Sequence, residues 1–256
     1  MQQTFSPANY KSALDAEFHQ VVSQSDQRFV KIGDRKDECA LSPSVWEALH
    51  ANQWLSTWKG IVIQKGFCQL SIYPMLICEL QPKTIIELGS CSGASAVWLT
   101  DQLKIFNIEG QVYSIDIDPS LLNETAKADR RVKFVQGDCN RIEEILTPEF
   151  MATLPHPWLV IEDAHVNTIG IMDHLHSNGL QSGDYIIVED TNLYMWEYWS
   201  DKGWQVEHEV KEMPHLLSEL RGWLQSHEEE YKVDSYFQDM YGYNVSKSWN
   251  SILRRM

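Results

Sequence analysis

Five short apolar runs follow one another in the middle of the chain, and an acidic residue or a glycine stands near the end of each. They occupy residues 84–88, 111–118, 132–139, 158–165 and 184–192. Continuous runs rich in Val and Ile are typical of strands buried on both faces of a parallel sheet, and the intervening segments are long enough for crossover helices. Two further runs, near residues 231–239 and 248–254, bring the predicted sheet to seven strands. The pattern predicts an α/β fold with a mostly parallel sheet.

Apolar residues recur at helical spacing in the segments around these strands. The predicted helices cover residues 10–23, 44–50, 72–80, about 166–178 and about 213–226. In the helix at 72–80, Pro74 is expected in the first turn, where the missing N–H is tolerated. We therefore expect residues 1–80 to form an N-terminal helical cover and residues 81–256 to form one compact core.

A glycine-bearing turn follows the first strand. Gly89 and Gly93 let the backbone bend sharply and approach a ligand closely, and the helix from about Ala94 aims its N-terminus at that ligand. A dinucleotide pyrophosphate site has the pattern G-x-G-x-x-G, and its second glycine would stand where this chain has Cys91. Glu87 favours a ligand with positive charge, such as S-adenosylmethionine. An ordinary strand-turn-helix with incidental glycines is the structural alternative.

Acids also end the second and third strands. Asp116 stands 116 − 89 = 27 positions after Gly89, where a carboxylate can accept both ribose hydroxyls, and Asp118 is a less favoured substitute. Gly137 and Asp138 place another acid near the expected adenine edge. A single acid at such a position is more often a helix cap or turn residue. Glu87, Asp116 and Asp138 stand at the ends of three successive strands, and together they predict one adenosine-type pocket.

Carboxylates follow the fourth and fifth strands as well. Asp163 precedes Glu189 by 189 − 163 = 26 residues, with a predicted crossover helix between them, and Asp190 comes next. The tips of neighbouring parallel strands lie together, and hard oxygen ligands select Mg²⁺ or Ca²⁺. Glu162 is an alternative first ligand, but a shift of one residue turns the side chain to the other face, so we favour Asp163. Capping of the following turns is the structural alternative.

In combination these motifs resemble class I S-adenosylmethionine-dependent methyltransferases, particularly the metal-dependent catechol O-methyltransferase-like branch. The motifs are Glu87-Leu-Gly-Ser-Cys-Ser-Gly, Ser114-Ile-Asp-Ile-Asp, Gly137-Asp and Glu189-Asp. A closer resemblance, over roughly residues 55–256, is to the rhamnosyl O-methyltransferase/cephalosporin hydroxylase family. It rests on Thr57-Trp-Lys-Gly-Ile-Val-Ile, the Glu87 motif, Gly183-Asp-Tyr-Ile-Ile-Val-Glu-Asp and Asn250-Ser-Ile-Leu-Arg-Arg.

The resemblance implies a Rossmann-like methyltransferase fold with helices on both faces of the sheet, and often a homo-oligomer built through the N-terminal helices. It implies methyl transfer to a hydroxyl of a small molecule, a sugar or another secondary metabolite. The residues it assigns to the S-adenosylmethionine site are Glu87, Gly89, Ser95, Asp116 and Asp138. The residues it assigns to Mg²⁺ or another divalent cation are Asp163, Glu189 and Asp190.

Methyl transfer to a hydroxyl also calls for a base. His165 is the favoured candidate because it lies two residues past the first proposed metal ligand and its ordinary pKa is near neutrality. His174 and His176 are expected at the surface of a helix. Trp196 and Trp199, after the proposed metal ligands, either contact the acceptor or pack a loop onto the core.

The composition excludes some classes of substrate and of cellular location. A formal net charge of −15 repels phosphate backbones, so nucleic acid is not expected as a substrate. Five cysteines without a C-x-x-C pair, no secretory leader and no membrane-length apolar run predict a cytoplasmic protein without membrane attachment. Two other function classes stay open: an NAD-dependent oxidoreductase, disfavoured by the glycine spacing, and a non-catalytic accessory protein with a degenerate site.

Overall fold

A twisted α/β sheet dominates the computed structural model, which describes residues 8–14, 25, 27–51, 55–203 and 207–256. The strands of the sheet are β1 (Phe29–Val30), β4 (Thr84–Leu88), β5 (Gln111–Asp116), β6 (Val132–Gln136), β7 (Trp158–Glu162), β8 (Tyr185–Val188), β9 (Tyr231–Asp234) and β10 (Ile252–Arg255). Their order is β1-β9-β10-β8-β7-β4-β5-β6. A separate hairpin pairs β2 (Thr57–Trp58) with β3 (Ile61–Val62).

Helices pack on both faces of the sheet. They are α1 (Tyr10–Ala13), α2 (Pro43–His50), α3 (Phe67–Leu80), α4 (Ala94–Ile105), α5 (Glu124–Lys127), α6 (Ile142–Ile145), α7 (Pro148–Met151), α8 (Thr168–Asn178), α9 (Leu193–Asp201), α10 (Glu207–Ser226) and α11 (Ser235–Gln238). Side chains alternate between the faces along each strand, so Ile85 joins the cluster under α3 and α4 while Ile86 joins the cluster under α8 and α10.

The predicted fold class is confirmed. Strands β6, β5, β4, β7 and β8 are parallel, and β10 is antiparallel to both β8 and β9. The sheet has eight strands instead of the predicted seven, because β1 pairs with β9 through Phe29 opposite Asp234. A strand of two residues is too short to give a recognisable alternation in the sequence.

Several helix and strand boundaries differ from those predicted from the sequence. Helix α3 begins at Phe67, so Pro74 lies inside the helix and not in its first turn. The helix tolerates this proline because Tyr73 and Leu76, on either side of it, are buried against the core, and tertiary packing outweighs local propensity. Strand β9 ends at Asp234 and not near residue 239, because the Asp234 carboxylate caps α11.

Other predictions concern segments that lie partly outside the described residues. Helix α1 covers only Tyr10–Ala13 of the predicted helix at 10–23, and most of the rest of that segment lies outside the described residues. The division of the chain at residue 80 and the homo-oligomer stay predictions. In the described part of the chain, every helix is too short or too polar to span a lipid bilayer.

Candidate functional site

A cavity of about 290 Å³ opens at the carboxyl ends of β4 to β8. Six of the nine predicted site residues line it: Gly89, Asp116, Asp138, Asp163, His165 and Asp190. The other three, Glu87, Ser95 and Glu189, do not line it. This position follows from the topology, because parallel strands present the loops after their carboxyl ends on one edge of the sheet.

Gly89 holds the loop after β4 against the tip of β7. Its φ is +96°, and a Cβ atom at this position would lie 2.4 Å from the backbone oxygen of Asp163. Only glycine combines this backbone conformation with such a close approach. The turn ends at Gly93, with φ +79°, which caps α4. The predicted glycine turn is therefore built as a close packing of two strand ends, with the cavity beside it.

The two predicted adenosine-binding acids also hold the loops that carry them. Asp116 accepts hydrogen bonds from the backbone N–H groups of Cys91, at 2.8 Å, and Asp118, at 2.9 Å. Asp138 accepts from the N–H of Asn140 at 2.9 Å and caps the short helix that follows. Each acid therefore serves as a turn or cap residue while it lines the cavity.

Glu87 lies beneath the cavity, with none of its surface exposed. Its Oε2 accepts a hydrogen bond of 2.5 Å from the Ser114 hydroxyl, and Ser95 on α4 also bonds to its carboxyl group. Burial raises the pKa of Glu87 to about 7, although Lys65 and the two serine hydroxyls oppose the shift. The structure thus joins Glu87 to Ser95, behind the glycine turn.

The three predicted metal ligands lie together, and two lysines accompany them. The Lys65 ammonium is 2.6 Å from Asp163 Oδ2 and 2.7 Å from Glu189 Oε1. The Lys247 ammonium is 2.8 Å from Asp190 Oδ1. Burial lowers the pKa of Lys65, but the neighbouring carboxylates outweigh burial and hold the pKa above its ordinary value. Both lysines therefore carry a positive charge into the acidic site.

Glu189 is the most deeply placed of the three acids. Its Oε1 also accepts a hydrogen bond of 2.6 Å from the Tyr73 hydroxyl, and its Oε2 is buried with no hydrogen-bond partner among the described residues. A buried carboxylate oxygen without a partner is costly, and a cation is one group that satisfies it. The donor set at the site is therefore suited to a divalent metal.

His165 stands between the other two acids. Its Nε2 is 3.3 Å from Asp163 Oδ1 and 3.8 Å from Asp190 Oδ2. One atom from each of these three residues lies within 4.8 Å of the others, close enough for a shared metal ion. Burial lowers the pKa of His165, but the Asp163 and Asp190 carboxylates raise it more, so the net pKa is above 6.5.

The two alternatives at the end of β7 differ in side-chain direction. The Glu162 carboxylate is buried and accepts hydrogen bonds from the Ala164 N–H and the Thr168 hydroxyl, both at 3.2 Å. Asp163 faces the cavity. The structure therefore gives Glu162 the role of tying the loop to α8, and leaves Asp163 as the acid available to a ligand.

Trp196 packs behind the acidic site. Its indole N–H donates to the backbone oxygen of Asp190 at 2.6 Å, and its ring meets the edge of His165 with centroids 5.6 Å apart. Trp196 and Trp199 belong to one buried cluster with Met213. Of the two interpretations of these tryptophans, the structure shows packing, but the segment that they pack is helix α9 and not a loop.

The predicted surface position of His174 and His176 on a helix holds only in part, because both side chains are partly buried. His174 Nε2 lies 2.7 Å from the carbonyl oxygen of Leu146, and His176 Nδ1 lies 3.2 Å from the Tyr231 hydroxyl.

Sequence reasoning missed three members of the site: Lys65, Tyr73 and Lys247. Lys65 lies two residues after the motif Thr57-Trp-Lys-Gly-Ile-Val-Ile and two before the start of α3, which gave only a weak signal. Nothing in the sequence around Lys247 indicated that it would reach Asp190, more than fifty residues earlier in the chain.

The comparisons with known proteins agree with this geometry. Residues 52–256 match the family described as Rhamnosyl O-methyltransferase/CmcI. The chain belongs to this family. The resemblance seen in the sequence is thereby confirmed, over nearly the range expected from the motifs.

Two groups of relatives give the extent of the similarity. Rhamnosyl O-methyltransferases from Mycobacterium bovis and Mycobacterium leprae are both 27% identical to this chain, over 144 and 151 residues. These matches cover 54% of this chain but only 58% and 61% of the relatives, so the chain spans less than two thirds of their length.

Solved CmcI structures match more of the fold. An apo structure of CmcI is 31% identical with a TM-score of 0.60, covering 78% of this chain and 76% of that chain. A CmcI structure with Mg and SAM is 26% identical with a TM-score of 0.61, covering 97% of this chain and 100% of that chain. The matches to CmcI extend over the core and over residues that precede it.

Proposed function

We propose that this family member transfers a methyl group from S-adenosylmethionine to a hydroxyl oxygen of a small molecule, with Mg²⁺ or another divalent cation at the acidic site. The observation that carries the proposal is that one cavity holds two sets of groups. Asp116 and Asp138 line one side, and Asp163, His165 and Asp190 line the other. The CmcI structure with Mg and SAM supports the same pairing of cofactor and metal.

The acceptor we propose is a sugar or another hydroxylated secondary metabolite. The mycobacterial relatives are named for methyl transfer to rhamnose, which is a sugar. The net charge of −15 favours a neutral or cationic acceptor over a polyanion.

The proposed roles follow from the positions of the side chains. Asp116 receives the ribose hydroxyls, and Glu87, with Ser95 beside it, holds the methionine part of the cofactor behind the glycine turn. Asp163 and Asp190 hold the cation, and the unpartnered Oε2 of Glu189 is a further donor. Bound S-adenosylmethionine supplies an electrophilic methyl group on a sulfonium, and the cation supplies a fixed positive charge beside the acceptor hydroxyl.

His165 is the group proposed to take the acceptor proton. As the acceptor oxygen forms its bond to the methyl carbon and the carbon–sulfur bond breaks, the hydroxyl proton passes to Nε2 of His165. The imidazole has to be neutral beforehand. Carboxylates that share a cation attract the imidazolium proton less, so the pKa of His165 is expected to fall once Asp163 and Asp190 are neutralised.

Calorimetric titration of S-adenosylmethionine, with and without MgCl₂, tests the cofactor assignment. We expect saturable binding that is lost in Asp116→Asn and kept in Asp118→Asn, which changes an acid two residues away that only caps a short helix. Thermal melting of both variants shows whether the hydrogen bond to Cys91 also matters for folding.

Two outcomes of the same titration would overturn the proposal. Saturable binding of NAD in place of S-adenosylmethionine would indicate an oxidoreductase. Absence of binding of either cofactor to the folded protein would indicate a non-catalytic accessory protein.

A further inference from the structure

A second group of metal-ligating side chains lies at the far end of α8 from the cavity. His176 is in the last turn of the helix, eight residues after Thr168, which corresponds to about 12 Å along the axis. His227 follows α10, and Glu230 directly precedes β9. One ligand atom from each of the three residues lies within 4.8 Å of the other two. Two segments that are distant in sequence, the end of α8 and the turn between α10 and β9, thus bring two imidazoles and a carboxylate together.

Hydrogen bonds orient both imidazole rings. His227 Nδ1 is 2.8 Å from the carbonyl oxygen of Trp223, and because a carbonyl only accepts, Nδ1 carries the proton and Nε2 keeps its lone pair. His176 Nδ1 is 3.2 Å from the Tyr231 hydroxyl, while its Nε2 is 3.8 Å from Glu230 Oε1. Metal-binding histidines are commonly oriented in this way through the ring nitrogen that does not bind the metal.

Ring stacking restricts the site further. The His227 imidazole stacks on the Trp223 indole with centroids 4.1 Å apart, and the two histidine rings meet edge to face at 4.8 Å. The Trp223 indole is itself fixed by a hydrogen bond of 2.5 Å to Asp173. Rings held in this way lose little conformational freedom on binding a ligand, so the cost of assembling the site is low.

Groups of both charge signs lie around the cluster. Glu230 supplies a carboxylate oxygen 3.8 Å from His176 Nε2. The Arg255 guanidinium is directed to the backbone, where it donates to the carbonyl oxygens of His176, at 3.0 Å, and Leu180. The Glu230 side chain is 47% exposed, which leaves the cluster open to ions from solvent.

We propose that His176, His227 and Glu230 form a Zn²⁺ site with its fourth position open to water. Two imidazole nitrogens and one carboxylate oxygen are ligands that suit Zn²⁺, whereas Mg²⁺ prefers oxygen alone. Ligand atoms of a tetrahedral zinc ion lie about 3.4 Å apart, given Zn–N bonds of about 2.1 Å. The observed 3.8 Å between His176 Nε2 and Glu230 Oε1 needs only a small side-chain adjustment. The ion would tie the end of α8 to the turn between α10 and β9.

The test is calorimetric titration of ZnCl₂ into the full chain with excess MgCl₂ present, so that the acidic cavity is already supplied with a cation. The exposed thiols of Cys78 and Cys91 are alkylated beforehand, because thiolates bind zinc as well. We expect one saturable site, with affinity at least roughly tenfold lower in Glu230→Gln and His227→Ala. A rise of the melting temperature with ZnCl₂ should disappear in the same variants.

The control variant is His215→Ala, which removes an exposed histidine of α10 that pairs with Glu219. It should keep the zinc site, and Asp190→Asn should keep it too. Equal zinc affinity in wild type and Glu230→Gln, or loss of binding in His215→Ala or Asp190→Asn, would overturn the proposal. Glu230→Gln keeps the test valid if His227→Ala does not fold. The zinc site is independent of methyl transfer, so S-adenosylmethionine binding should be the same in all these variants except Asp190→Asn.

Discussion

The ammonium group of Lys247 lies 2.8 Å from Asp190 Oδ1, so a residue just before β10 completes the acidic site that follows β7 and β8. The same ammonium is 3.3 Å from the backbone oxygen of Gln64, at the entrance to α3. Burial lowers the pKa of Lys247, but Asp190 and the other carboxylates outweigh burial and raise it overall. The positive charge of Lys247 therefore already lies beside Asp190, where the proposed metal cation would bind.

Removing that charge should strengthen metal binding. We expect Lys247→Met to bind Mg²⁺ roughly tenfold more tightly than wild type, because Asp190 then no longer shares its charge with an ammonium. Lys247→Arg keeps the charge and should bind Mg²⁺ as wild type does. Calorimetric titration of MgCl₂ measures both affinities. Weaker Mg²⁺ binding in Lys247→Met would show that the lysine shapes the site and does not compete for it.

Gly89→Ala should destabilise the protein and abolish S-adenosylmethionine binding. The new Cβ would meet the Asp163 backbone oxygen at 2.4 Å, and the backbone has φ +96°. Gly183→Ala is the matched control, because its φ is +99° with no atom within 4 Å of the new Cβ. Gly183→Ala should cost only about 1 kcal/mol of the free energy of unfolding, from backbone strain. Urea unfolding of the two variants separates the effect of backbone strain from that of the steric clash with Asp163. Equal losses in the free energy of unfolding would contradict the clash.

The stability of the protein should fall as pH rises from 5 to 8, and Glu87 should account for part of the fall. Burial raises the pKa of Glu87 to about 7, above its ordinary value of 4.5. The unfolded chain therefore ionises this carboxyl at lower pH than the folded chain, and the contribution to stability present below pH 4.5 is lost as pH rises through 7.

Glu87→Gln removes this titration. Between pH 5 and 8, wild type should lose about 2.5 kcal/mol relative to Glu87→Gln, because most of the interval between the unfolded pKa of 4.5 and the folded pKa of about 7 lies in this range. Urea unfolding at both pH values measures the difference. Glu162, whose pKa is also raised to about 7 by burial, still titrates in the variant, so some dependence on pH should remain. Parallel profiles for the two proteins would contradict the prediction.

His165→Ala should lower kcat by 10²- to 10⁴-fold at saturating acceptor, as expected for loss of a general base. S-adenosylmethionine affinity should change little, because His165 lies on the acidic side of the cavity, next to Asp163. His174→Ala, on the same stretch of chain but bonded to Leu146, is the control and should keep its turnover. Near wild-type turnover in His165→Ala would remove the histidine from the reaction.

Much of this arrangement was predictable because it is local in sequence. The apolar runs gave the five parallel strands, and a side chain directly after a strand has little choice of direction. Asp116, Asp138 and Asp163 therefore appear at the cavity, where strand-end positions predict them. The glycine turn was predictable for the same reason, since Gly89 and the strand before it are adjacent.

The parts that were not predictable depend on contacts between distant segments. Lys65 reaches Glu189 across 124 positions, and no periodicity records such a contact. Glu189 follows its strand as predicted, but its carboxylate turns to Lys65 and Tyr73, away from the cavity lining. Strand β1 was missed because its pairing is made by two residues, with Arg28 beside them bonded to Asp234 at 2.7 Å.

The place of β10 in the sheet has a consequence for synthesis of the protein. This strand lies between β8 and β9, although it follows both in sequence. A ribosome releases the chain from its N-terminus, so β9 and β1 cannot join the sheet until residues 252–255 have left the exit tunnel. Until that moment the nascent chain exposes an unpaired edge of β8, an edge of the kind that chaperones protect from aggregation. Because Lys247 follows every other residue that lines the cavity in sequence, the acidic site is complete only once this segment has been synthesised.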